Sequence, residues 1–77
     1  MPRHVICIAA NAPALLGLRT RLGGMNVTTT FVTSFEGFVA AISAHNPDLV
    51  LVDGSVDDGY YERVAAVISP GTELQRL

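Results

Sequence analysis

The sequence predicts an α/β domain of three layers, with a parallel sheet between helices, and three observations carry that expectation. Two short apolar runs, residues 5–8 and 49–52, show no polar alternation, the pattern of strands buried on both faces. Around them, apolar residues recur at i, i+3, i+4 and i+7, the spacing of helices that bury one stripe. The two patterns alternate along the 77 residues, which implies crossovers of one hand and strands that run parallel.

Each element has its own signal. Val5, Ile6, Cys7 and Ile8 form the first strand. Pro13, after Asn11 and Ala12, suits a helix's first turn, and Leu15, Leu18 and Leu22 continue that helix until Gly23 and Gly24 stop it. Residues 27–32 are β-branched and Thr-rich with polar positions interleaved, which reads as a second, less covered strand at an edge. Thr33-Ser34-Phe35-Glu36 matches a capping box with Thr33 as the cap, and Phe35, Phe38, Val39 and Ile42 follow on one face. His45-Asn46-Pro47 ends this helix, because the residue before a proline disfavours the helical region. Leu49, Val50, Leu51 and Val52 then supply a second central strand that stops at Asp53. The loop 54–59 leads into a third helix with Tyr61, Val64, Ala65 and Ile68 in register, terminated by Ser69-Pro70-Gly71. The string is βαβαβα over residues 1–69, and residues 70–77 read as a C-terminal overhang.

Composition narrows the function classes. A chain this short makes one domain, and 49% hydrophobic with 16% charged residues is too apolar for a disordered tail. Five Arg, no Lys and seven acidic residues give a net charge of −2, which argues against a nucleic-acid partner. The apolar run of residues 5–10 is shorter than a signal-peptide core and far short of a membrane span, so no membrane role is expected. Cys7 has no cysteine to pair with, and a reducing cytoplasm is the default location.

In open parallel sheets the binding crevice lies beyond the carboxyl ends of the strands, where the winding reverses. The two most apolar strands end at Ala10-Asn11 and at Asp53. A carboxylate held there can attack a phosphoryl group, provided cations neutralise the incoming oxygens. The competing reading of Asp53 is that it starts the turn before Gly54, a common task for Asp.

The segment Pro47-Asp48-Leu49-Val50-Leu51-Val52-Asp53 resembles the third strand of response-regulator receiver domains. Residues 5–9 with Pro13-Ala14-Leu15-Leu16 are similar to that family's first strand and helix, and Val27-Thr28-Thr29 to its second strand. The resemblance runs to about Ile68 and implies a flavodoxin-like sheet with strand order 2-1-3. It also implies a two-component phosphorelay in which a histidine kinase phosphorylates Asp53, with Mg²⁺ as cofactor. On this reading the chain is a phosphoacceptor or interaction domain and not an independent enzyme. It departs from the family pattern in several places. The two acids that hold the metal in receivers fall on Ala10 and Asn11, which leaves Asp53, the Asn11 amide and the Ser55 backbone carbonyl as ligands. Asp57 and Asp58 are candidate replacements from the following loop. The Lys that pairs with the phosphate, and the Ser or Thr that senses it, belong to two further strands that have no counterpart here. The alternative is a pseudo-receiver that binds another protein, or dimerises, independently of phosphate.

A sheet ending at residues 49–52 leaves an apolar edge open, so self-association or a signalling partner is expected at the third-strand edge or the adjoining helix faces. The remaining candidates have plain explanations. His4 and Cys7 lie three apart on a strand, hence on opposite faces, and Cys7 reads as a buried small hydrophobe. His45 suits a helix C-terminus. The stretch from Asp53 to Gly59 fails as a calcium loop, with Asp58 at the required Gly and Val64 at the required Glu. Tyr60 and Tyr61 are expected to divide between solvent and core, and the Asn26-Val27-Thr28 sequon carries no meaning in a cytoplasmic chain.

Overall fold

The two apolar runs lie side by side in the middle of one parallel sheet in a computed structural model that describes residues 3–23 and 27–77. The elements in chain order are β1 (Arg3–Ile8), α1 (Ala12–Leu22), β2 (Val27–Val32), α2 (Phe35–Ala44), β3 (Leu49–Val52), α3 (Asp58–Val67) and β4 (Glu73–Arg76). The sheet order is β2-β1-β3-β4, with every pair parallel. The expected three-layer αβα, flavodoxin-like layout is therefore present, with a fourth strand added to the expected three.

Alternation along the strands divides the core in two. Ile6, Ile8, Val50 and Val52 face α2 and α3, where they pack with Phe38, Ala41, Val56 and Val64. Val5, Cys7, Ala9 and Leu51 face the other way, onto Leu18 of α1. Two helices thus cover one face of the sheet and one helix covers the other. Cys7 has no solvent contact, and burial pushes its thiol up to about 11, so it packs as the small hydrophobe expected.

The largest correction is at the C-terminus. Residues 73–76 are not an overhang but a strand on the outer edge of β3, in register Leu49↔Glu73 to Val52↔Arg76. Glu73 N–H donates to the Asp48 carbonyl at 3.0 Å and Leu77 N–H to the Val52 carbonyl at 2.8 Å. The Thr72 hydroxyl anchors the entry by donating to the Pro47 carbonyl at 2.9 Å. The third-strand edge proposed for association is consequently occupied by the chain itself, and the outer strands are β2 and β4. Hydropathy misses this strand because Glu-Leu-Gln-Arg holds one apolar residue in four and no β-branched one. Its backbone ladder supplies the cohesion, and only Leu74 reaches the core.

The caps explain where each helix starts. Asn11 Oδ1 accepts from Ala14 N–H at 3.0 Å and Asp57 Oδ1 from Tyr60 N–H at 2.7 Å. At α2 the cap is Ser34 and not Thr33: Ser34 is extended and its Oγ accepts from Gly37 N–H at 3.0 Å. Glu36 therefore sits in the first turn, where its charge suits the positive end of the helix, and the expected reciprocal box is not formed. The α1 stop begins at Gly23, whose N–H donates to the Thr20 carbonyl. Gly24 and the sequon residue Asn26 lie outside the described residues. Among the described residues no helix is long and apolar enough to cross a membrane.

Candidate functional site

Asp53 follows β3 directly, and its N–H donates to the Ile8 carbonyl at 2.8 Å, which pins it beside the end of β1. From β1 the sheet proceeds to β2 on one side and to β3 on the other, so the crevice between the β1–α1 and β3–α3 loops lies where the winding reverses. Ser55 ties these two loops together, its Oγ accepting from Ala10 N–H at 3.1 Å. Ala10, Asn11, Asp53 and Ser55 are thereby gathered at one rim of the sheet, as the sequence predicts.

Asp53 also starts a turn, the other role weighed for it. Its Oδ2 accepts from Ser55 N–H at 2.9 Å, and its carbonyl accepts from Val56 N–H at 3.1 Å. The Ser55 hydroxyl first and the Ser55 N–H second hold the Asp53 carboxyl below its ordinary value, with smaller help from Gly54 N–H and the Arg21 charge, against a partial loss of solvation. The group is a half-buried carboxylate at neutral pH. Gly54 brings this turn close to the end of β4: a Cβ there would stand 3.4 Å from the Leu77 carbonyl oxygen, an ordinary contact distance.

The remaining polar groups of the rim are committed elsewhere. Asn11 directs its amide oxygen into the α1 cap, and Ser55 acts through its hydroxyl and N–H, where the sequence had suggested its backbone carbonyl. Asp57 caps α3, and Asp58 Oδ1 pairs with Arg76 Nη2 at 2.7 Å. Among the described residues no three His, Cys, Asp or Glu side chains come together in a metal-binding group. The donor set is one carboxylate and a neutral amide already engaged, which does not fit a Mg²⁺ ion that takes near-ideal octahedral oxygen ligation.

Arg76 is the rim residue that sequence reasoning missed. Its guanidinium donates to the Val56 carbonyl at 3.2 Å, pairs with Asp58, and lies 4.8 Å from the Tyr61 ring centroid. The ion pair alone is exposed and contributes little. Its combination with the carbonyl and the ring fixes the loop after Asp53 against β4. Tyr60 and Tyr61 are both half-buried against the core and do not divide between core and solvent.

The chain matches no family model, no curated protein and no solved structure.

The opposite end of the sheet holds a second polar group. The His4 ring stacks on His45, the helix-end residue, with centroids 4.4 Å apart, and His4 Nε2 lies 3.0 Å from Thr30 Oγ1. His4 N–H donates to Asp48 Oδ2 at 3.0 Å. Desolvation first and the His45 charge second lower the His4 pKa from 6.5, against the pull of Asp48. The unfolded chain therefore takes up this proton more readily than the folded one. Stability from this group is complete above 6.5 and is lost as the pH falls below it. The urea midpoint of the protein should fall between about pH 7.5 and about pH 5, and by less in His4→Gln. An equal fall in both proteins excludes His4 as the source.

Proposed function

We propose that the chain is a receiver-like module of a two-component phosphorelay, with Asp53 as its phosphoacceptor. The observation that carries this reading is the Asp53 carboxylate at the switch point of a parallel 2-1-3 sheet, fixed to β1 by its own N–H and flanked by the Ala10-Asn11 turn. A carboxylate oxygen attacks phosphorus and forms the acyl phosphate as the bond from phosphorus to the donor breaks. If the donor is a phosphohistidine, the electron pair stays on the imidazole nitrogen, which takes a proton. Ser55 N–H and its hydroxyl orient the carboxylate for that attack. No step is assigned to Mg²⁺, since the residues present do not form its cradle.

The second reading is a pseudo-receiver that engages a partner without phosphate. It is favoured by Asn11, whose amide oxygen caps α1, and by the diversion of Asp57 and Asp58 to a helix cap and to Arg76. One experiment separates the two. The protein is incubated with phosphoramidate, with and without Mg²⁺, and its intact mass is measured beside that of Asp53→Ala. The expected result is one added phosphoryl group on the parent and none on the variant. A parent that gains nothing ends the phosphorelay reading and leaves the binding module.

A further inference from the structure

We propose that the open face of the sheet beside α1 is a docking groove for an amphipathic helix of another protein, one with an acidic first turn. The proposal does not depend on phosphorylation of Asp53. The groove has a volume of about 310 Å³. Its apolar lining comes from Leu18 and Leu22 of α1, Leu49 and Leu51 of β3, and Leu77 at the end of the chain. It exists because the two faces are unequally covered: α2 and α3 lie on one, and α1 alone on the other, over β1 and β2. Parallel sheets are found with helices over both faces, because their strands are apolar on both. Leu77 is 47% exposed, so part of this wall stands in water.

Charge selects the occupant. Arg3 and Arg21 line the groove and no acidic residue does, although the chain as a whole has a net charge of −2. Both cations belong to one end, where β1 begins and α1 finishes. Gln75 and Leu77 line the other end. Asp53 and Glu73, the acids whose strand positions point to this same face, lie outside the lining. A second copy whose groove ran parallel to this one would bring its own Arg3 and Arg21 against these, cation upon cation, which disfavours that two-fold arrangement. A partner helix with acidic residues in its first turn satisfies its own dipole and meets the two guanidinium groups. Its apolar stripe at i, i+3 and i+7 then lies along the leucines.

The test uses a synthetic helix of about 14 residues with a Leu stripe and Glu in the first turn, and a second peptide in which those Glu are Lys. Each is titrated into the isotope-labelled protein and followed by amide chemical shifts. The Glu peptide should shift the amides of Leu18, Leu22, Leu51 and Leu77 and bind about tenfold more tightly than the Lys peptide, since two partly exposed ion pairs change from attraction to repulsion. The exposed double substitution Arg3→Glu with Arg21→Glu should reverse the preference, with far-ultraviolet circular dichroism unchanged. Equal binding of the two peptides, shifts elsewhere, or no binding overturns the proposal. So does a concentration-dependent dimer in sedimentation that protects these same amides.

Discussion

Phe38→Ala should leave little folded protein in buffer. Phe38 is fully buried and is among the largest side chains of the core between the sheet and α2 and α3, where it meets Phe35 at a centroid distance of 6.2 Å. Truncating a buried Phe costs about 3 to 5 kcal/mol through lost transfer energy and the cavity left behind. A single core in a chain of this length supplies about the same amount in total. The loss should appear as a collapse of the far-ultraviolet circular dichroism and of amide dispersion. Phe38→Leu, which keeps most of the volume, should cost about 1 to 2 kcal/mol and stay cooperative in urea. A folded Phe38→Ala with an unchanged urea midpoint would show that the face under α2 and α3 does not hold the fold together.

Removing residues 72–77 should destabilise the protein by about 3 kcal/mol and make it associate. The deletion takes away the β3–β4 ladder, the flanking backbone bonds to Asp48 and Val52, the Thr72 bonds to Ser69 and Pro47, the Arg76 bond to Val56 and the packing of Leu74. Each bond contributes about 1 kcal/mol net, and the freedom regained by the tail offsets part of the sum. The deletion also uncovers the edge of β3, a short apolar strand with free backbone groups. Sedimentation should show larger species as concentration rises, while the full chain gives none through that edge. If the shortened chain unfolds at the same urea concentration and stays monomeric, β4 contributes neither stability nor cover.

The two strands and three helices that announce themselves by apolar pattern were legible because burial is what the pattern records. Residues 5–8 and 49–52 are central for the reason their composition implies, and β2, with its interleaved Thr, is an edge. What the pattern does not record is backbone pairing. Glu73–Arg76 forms a strand through its ladder to β3 while showing most of its side chains to water. Thr33 and Ser34 are both good caps, and only the extended geometry of Ser34 decides between them, which sets the start of α2 one residue later than the sequence predicts. At the rim, the positions of Asp53, Ala10 and Asn11 followed from strand ends alone. The use of the Ser55 hydroxyl to bridge two loops did not, since it links residues 45 apart in the chain. Arg76 was hidden for the same reason as its strand.

Cys7 gives the protein an internal clock. It is buried, and its thiol holds its proton to a pH near 11, so alkylating reagents reach a reactive sulfur only when the surrounding strands part. Cys7 stands opposite Phe31 on one side and Leu51 on the other. The pace of its labelling therefore times the opening of the sheet at its centre, with no engineered probe.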